Sequence, residues 1–384
     1  MKDLSEIRFE IDAVDRQIVA LYEQRMKLAE EVAEYKINNG KPVLDVNREK
    51  EKLEALGSLA KSEFSRQAIV ELYQQIMATS RKRQYQIMTE HGMTFDTGFT
   101  CQESYDYSNA KVCFQGVEGA YSQMALNKYF KDKVKEIFNV DTWRDAMEAI
   151  TSGRADYAVL PIENSTAGSI AENYDLLMEY EVAIVGEQIL PVNHALLGVK
   201  GAHISDIMSV YSHPQAIMQC DSYLRTHHSD WNAVALRNTA MAAKKVKEDG
   251  DKTQAAIGSS LNAEIYGLDI LEECIQDNKG NATRFIVVSR VKKFPASADK
   301  LSLAVDIPNV EGSLYRMLSH FIFNGLDLCH IESRPIKGVN WNYRFFIDVI
   351  GNLNDDSVKN ALSGIKAESS DLIILGNYSQ HTGV

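Results

Sequence analysis

Apolar side chains recur at Ile7, Ile11, Val14, Ile18, Leu21, Leu28, Val32 and Tyr35, in steps of four and three that never slip. That spacing is the seam of one long helix packed in a bundle. The slot between Leu21 and Leu28 is filled by Arg25. A guanidinium in a buried seam costs several kcal/mol unless an anion pairs with it. A carboxylate or an anionic ligand must therefore face Arg25. The pattern predicts a helix over Leu4–Asn38, ended by Asn39-Gly40 with Pro42 beyond. Two more helices are expected, about Asn47–Leu59 and from Ser65, as N-cap, to beyond Gln84. A first helix this long cannot hide its seam within residues 1–90, which predicts a partner subunit.

Residues 91–110 have no period and many turn formers, and read as a linker or an ordered connector. Residues 111–291 alternate short apolar strands with helices. Expected strands are Val112–Gln115, Tyr157–Leu160, Val182–Ile189, Ala195–Gly198, Val234–Arg237, Ala255–Gly258 and Phe285–Ser289. Expected helices include Ser122–Tyr129, Trp143–Thr151, Pro214–Leu224 and Ala240–Lys247. This is an α/β region with a ligand cleft expected at strand C-termini. Residues 299–384 read as βαββαβ, a ferredoxin-like α+β module.

Residues 1–90 carry 15 Lys+Arg against 16 Asp+Glu, so most of the net charge of −12 lies beyond them. An acidic surface argues against nucleic acid and anionic membranes as partners. No apolar run approaches the ~18 residues of a membrane helix, and the charged N-terminus is no secretory signal. The five cysteines are scattered without CxxC spacing, which points to a reduced cytoplasm with neither disulfides nor zinc.

On the first helix Arg25 and Lys36 are 11 residues apart, so they point the same way to within about 20° and lie roughly 16 Å apart. Two such cations can converge on a small dianion. Asp45, Arg48 and Glu49 follow, and Ser80 and Gln84 form an i,i+4 pair on the third helix. Arg8 lies roughly 25 Å before Arg25 and can serve only the site of an antiparallel partner. A solvated bundle whose charges pair with one another is the plainer alternative.

The stretch from Arg8 through Glu49, with EQRMKLAEEVAEYK and LDVNREKEKLEAL, resembles the all-helical chorismate mutase domain. The resemblance implies that Arg25, Lys36 and Arg48 hold the carboxylates and ether oxygen of chorismate, and that Arg8 comes from a second subunit. It implies that Asp45, Glu49 and Ser80 meet the ring hydroxyl and side-chain carboxylate region, and that Gln84 joins Lys36 at the ether oxygen. A Claisen rearrangement needs a held chair conformer and stabilised ether charge, and no nucleophile. Lys36 and Gln84 are the expected catalytic pair.

In the α/β region three stretches stand out: Gly116-Val-Glu-Gly119-Ala-Tyr121-Ser122, Pro161-Ile-Glu-Asn164-Ser165, and Asn281-Ala-Thr283-Arg284-Phe285. Ser212-His213-Pro214-Gln215 starts another helix. Each taken alone reads as a loop cap. Together they resemble prephenate dehydratase, which implies two α/β lobes like periplasmic binding proteins with the site in the cleft. The resemblance makes Thr283 the catalytic threonine and Asn164, Ser165 and Gln215 substrate-holding residues. Arg284 is the expected carboxylate partner. Glu163 or His213 remains an alternative acid. No Walker loop or metal-ligand spacing occurs, so no cofactor and no metal is expected.

The C-terminal module resembles an ACT domain through Glu332-Ser333-Arg334-Pro335, and through Gly312 and Leu314 of a stretch where Ser313 and Tyr315 depart from the family pattern. The resemblance implies phenylalanine binding by Asn309, Gly312, Ser313, Leu314, Glu332, Ser333, Arg334 and Pro335. The expectation is a cytoplasmic, homodimeric or larger multidomain enzyme. Residues 1–90 form an all-α mutase domain, 91–110 a linker, 111–291 a dehydratase domain and 299–384 an ACT domain. It converts chorismate to prephenate and then to phenylpyruvate under phenylalanine control. The rivals are a mutase fused to an arogenate dehydratase, or to a non-catalytic ligand sensor.

Overall fold

The computed structural model describes residues 2–131, 133–336, 338–339 and 341–381. The chain divides into two compact units. One joins the first 97 residues to Leu303–Ile374, and the other holds Gly98–Ser302 with the last segment of the chain.

The first unit begins with three helices: α1 (Leu4–Asn38), α2 (Val46–Gly57) and α3 (Glu63–Glu90). Asp3 and Glu6 close a capping box at the start of α1. Asp45 caps α2, accepting from the Arg48 amide at 3.0 Å. The expected cap of α3 at Ser65 is corrected to Ser62, whose hydroxyl accepts the Ser65 amide at 3.1 Å. The helix starts a turn earlier because that serine satisfies an otherwise orphaned N–H.

The apolar seam of α1 is not buried within the chain. Ile11, Leu21 and Leu28 are each more than half exposed. The residues turned inward are Arg25, Met26, Ala29, Ala33 and Lys36, which face α3. Small Ala29 and Ala33 allow close approach at the bundle's centre.

The second unit starts with β1 (Thr100–Gln102) and a first lobe of β2 (Lys111–Gln115), α4 (Tyr121–Phe130), β3 (Glu136–Val140), α5 (Trp143–Thr151), β4 (Tyr157–Asn164), β5 (Gly168–Ser169), α6 (Ala171–Tyr180) and β6 (Ala183–Pro191). The chain then crosses to a second lobe of β7 (Ala195–Gly198), β8 (Ser209–Ser212), α7 (Pro214–Gln219), α8 (Asp221–His227), β9 (Asn232–Ala235), α9 (Thr239–Asp249), β10 (Gln254–Gly258), α10 (Ser260–Tyr266) and β11 (Asp269–Glu272). It returns as β12 (Ala282–Ser289) and β13 (Lys293–Pro295). The lobes are built on sheets ordered β3-β2-β4-β12-β6 and β11-β7-β10-β8-β9. Phe114, Phe130, Val159 and Phe285 fill the first core. Leu197 and Ala256 lie on one face of the second sheet, Leu196 and Ile257 on the other, so helices cover both faces.

Residues 91–110 include an ordered strand, since β1 pairs in parallel with β13. The expected helix Pro214–Leu224 is two helices, broken at Cys220. Strands β3, β8 and β11 escaped the sequence reading. β3 and β11 are largely exposed edge strands with no continuous apolar run, and β8 spans only four residues.

The C-terminal module runs β14 (Lys300–Asp306), α11 (Ser313–Phe323), β15 (Leu328–Pro335), β16 (Tyr343–Ile350), α12 (Asp356–Glu368) and β17 (Asp371–Tyr378), with strand order β15-β16-β14-β17. This is the ferredoxin-like arrangement. Among the described residues no helix is long and apolar enough to cross a membrane.

Candidate active sites

The three helices enclose a cleft of about 290 Å³ lined by Arg25, Lys36, Asp45, Arg48, Glu49, Ser80 and Gln84. These are all the expected chorismate residues except Arg8, which lies exposed near the start of α1. Arg25 donates from Nη1 to Ser80 Oγ at 2.6 Å. Lys36 Nζ donates to Val43 O at 2.6 Å and to Gln84 Oε1 at 3.2 Å. Ser80 and Gln84 are buried, so the floor of the cleft is polar and little exposed. Burial lowers the Lys36 ammonium below its ordinary value, Arg81 adds repulsion, and Asp45 and Glu49 oppose the shift. Such an ammonium gains strongly from an anionic ligand.

Lys52 and Arg81 also line the cleft. Five cationic side chains thus face two carboxylates, a balance suited to a dianion. Sequence reading missed Arg81 because its run, Arg81-Lys82-Arg83, resembles an ordinary solvated helix face. In the fold Arg81 is buried, with Nη1 2.5 Å from Glu49 Oε1.

The second candidate site lies where the lobes of the α/β unit meet. β12 runs antiparallel to β4, with Thr283 opposite Asn164 and Arg284 opposite Glu163. Asn164 Nδ2 donates to Thr283 Oγ1 at 2.9 Å and to Asn281 Oδ1 at 2.8 Å. Asn164 Oδ1 accepts the Thr166 and Ala167 amides at 3.0 and 2.8 Å. Ser165 ties the loop to the Ala282 amide at 2.9 Å. The expected residues Asn164, Ser165 and Thr283 are therefore brought together.

Arg284 is not brought to them. Successive strand residues face opposite sides of a sheet. Arg284 reaches Glu163 at 3.3 Å and the fully buried Glu187 at 3.4 Å. Lys300 meets the same Glu187 oxygen at 2.8 Å. The Arg284 charge, expected to meet a prephenate carboxylate, is paired in this structure with Glu163 and Glu187 on the other face. Glu163, one alternative acid, lies on that face too. His213, the other, caps α7 and accepts from the Gln215 amide at 3.2 Å. Burial lowers its pKa, so its acidic form is scarce at neutral pH.

Gln215 follows β8 in the second lobe, and β10, which leads to Ser259 and Asn262, pairs with β8. Buried atoms Gln215 Nε2, Ser259 Oγ, Asn281 Nδ2 and both polar atoms of Asn262 have no hydrogen-bond partner. Buried polar atoms are nearly always paired, so each of these is suited to a polar ligand or water. Gly119 (φ +85°) must be glycine, because a Cβ there would collide with the Asn262 side chain. Tyr266 Oη donates to Glu118 O at 2.7 Å, drawing the lobes together. Asn262 was missed because one asparagine in an amphipathic helix carries no distinguishing pattern.

In the C-terminal module Gly312 (φ +75°) takes a left-handed cap before α11, with Ser313 Oγ engaged by Arg316 at 3.0 Å. Asn309 lies in the exposed turn before it. Glu332, Ser333, Arg334 and Pro335 end β15, an edge strand separated from β14 by β16. The two expected effector stretches thus sit on different elements, one at the turn that starts α11 and the other at the end of β15.

The family models concur with the two clefts. Residues 7–85 match chorismate mutase type II, and residues 112–293 match prephenate dehydratase. A bifunctional chorismate mutase/prephenate dehydratase from Stutzerimonas stutzeri is 31% identical over 382 residues, covering 98% of this chain and 97% of the relative. The chain belongs to the bifunctional chorismate mutase/prephenate dehydratase family. The prephenate dehydratase of Arthrobacter aurescens, solved in complex with L-Phe, is 32% identical with a TM-score of 0.65, covering 70% of this chain and 90% of that one. A chain described as GqqA, a novel type of quorum quenching acylase, is 31% identical with a TM-score of 0.64, covering 71% of this chain and 98% of that one. A fold shared by a dehydratase and an acylase fixes no activity by itself. Acyl transfer needs a nucleophile beside a base, whereas the side-chain partner of Thr283 is the Asn164 amide.

Proposed function

We propose that the helical cleft rearranges chorismate to prephenate and that the interlobe cleft converts prephenate to phenylpyruvate. The observation that carries the first step is the pairing of Lys36 and Gln84 at 3.2 Å opposite Arg25 in one cation-rich cleft. Arg25 and Arg48 pin the carboxylates in the reactive chair, and the Lys36 ammonium with the Gln84 amide meets charge developing on the ether oxygen. In the second step Thr283, oriented by Asn164, donates to the departing ring hydroxyl while Ser165 and Gln215 hold the substrate. Aromatisation drives loss of water and carbon dioxide. Neither step draws on a cofactor.

The working boundaries are 1–90 for the mutase, 91–110 for the connector, 111–291 for the dehydratase and 299–384 for an ACT effector domain. The exposed seam of α1 and the distant Arg8 favour a dimer in which each copy completes its partner's mutase cleft. The position of Glu332–Pro335 on the edge strand β15, with Gly312–Leu314 at the start of α11, likewise favours a phenylalanine site shared between copies. The absence of a membrane-spanning helix among the described residues is compatible with a cytoplasmic enzyme.

A chorismate time course with the purified chain, following prephenate and phenylpyruvate separately, tests the reading. Transient prephenate followed by phenylpyruvate is expected. Prephenate accumulating without phenylpyruvate would reduce the chain to a mutase. Millimolar phenylalanine is expected to slow phenylpyruvate formation, and indifference to it would remove the effector site.

A further inference from the structure

Arg81 joins two regions that the sequence keeps 287 residues apart. Its guanidinium is buried. Nη1 reaches Glu49 Oε1 at 2.5 Å on one side, and Nε reaches Glu368 Oε1 at 2.8 Å on the other. Glu49 belongs to α2 and lines the mutase cleft. Glu368 is the last residue of α12 in the C-terminal module, and its side chain is 10% exposed. His320 of α11 approaches the same Glu368 oxygen at 3.4 Å and packs edge-on to Tyr85 of α3. Lys82, beside Arg81, lies over the Phe323 ring at 5.5 Å. One stretch of α3 thus carries the mutase floor, at Ser80 and Gln84, and the seat of α11 and α12.

A buried guanidinium needs its charge and donors matched on every side. Here that requirement fixes two carboxylates at once. Were Glu368 removed, Arg81 would keep Glu49 as its one carboxylate and could close on it with both nitrogens, drawing Glu49 out of the cleft. Were Arg81 removed, Glu49 would be free to pair with Lys36, the ammonium needed at the ether oxygen.

We propose that Arg81 is a positioning residue for the mutase reaction, that Glu368 holds it in place, and that the C-terminal module thereby completes the wall of a cleft it does not line. The inference rests on the mutase reading of that cleft. It assigns the module a standing part in catalysis, apart from any effector.

The test measures kcat and KM for chorismate rearrangement in the full-length chain, with dehydration of supplied prephenate as the internal control. Glu368→Gln and Arg81→Gln are each expected to lower mutase kcat/KM about tenfold, with Arg81→Lys recovering part of the loss. Dehydration should stay within about twofold of wild type. In a Glu49→Gln background, adding Arg81→Gln should cost little more, because the two residues act as one unit. Unchanged mutase activity in Glu368→Gln would overturn the proposal. So would parallel loss of both activities, or an undiminished Arg81→Gln effect in the Glu49→Gln background. Should Arg81→Gln not fold, Glu368→Gln and Arg81→Lys still decide the matter. A wild-type chain that turns over no chorismate would instead overturn the mutase reading itself.

Discussion

In the helical cleft five cationic side chains face two carboxylates, while around Thr283 the hydrogen-bonding side chains are amides and hydroxyls. Glu163 and Arg284, the sequence neighbours of Asn164 and Thr283, lie on the opposite face of the sheet and pair with one another there. The contrast follows from the two reactions proposed. A Claisen rearrangement keeps its carboxylates and builds charge on the ether oxygen, so fixed cations help throughout. Decarboxylation consumes a carboxylate, and a cation bound to that group would stabilise the ground state more than the transition state. A neutral lattice of directed donors suits the second reaction.

The sharpest way to break this comparison is Lys36→Ala. It should lower mutase kcat/KM by roughly a thousandfold while leaving prephenate dehydration within about twofold. Equal loss of both activities would mean that the clefts are not independent. Thr283→Ala should cost dehydration about a hundredfold or more and spare the mutase, with Thr283→Ser recovering much of the loss. Retained dehydration would move the proton donor elsewhere.

A smaller effect separates scaffold from site. Glu187→Gln strips Arg284 and Lys300 of a buried counter-charge and should destabilise the α/β unit by about 3 kcal/mol. A lowered urea midpoint for that unit would be the readout. An unchanged midpoint would show that the network is not needed for stability.

The smallest expected effect is a pH dependence. Burial alone would raise the Glu368 carboxyl, but His320 and Arg81 outweigh it and hold it near 2 against an ordinary 4.5. The unfolded chain then binds that proton first as pH falls. The stabilisation is complete above about pH 4.5 and fades toward pH 2. Acid titration of helical content in wild type and Glu368→Gln should converge over that window.

The long period of α1 and the βαββαβ order were legible because each covers enough residues for its periodicity to speak. Asn164, Ser165 and Thr283 were legible as motifs, and the register of β4 with β12 brings them together. The direction in which Arg284 points was not legible as a motif, because neighbours in a strand face opposite sides of the sheet. Arg81 and Glu368 were invisible for another reason. A long-range ion pair leaves no local spacing to read. The seam of α1 was legible as a pattern too long for residues 1–90 to bury, and its apolar side chains are exposed in the single chain.

That seam has a kinetic consequence. If Arg8 enters the partner's cleft, the mutase is as concentration-dependent as the dimer, while each α/β unit carries its own Thr283 and Asn164. Dilution would then silence the first reaction before the second, and the product ratio would become a gauge of assembly.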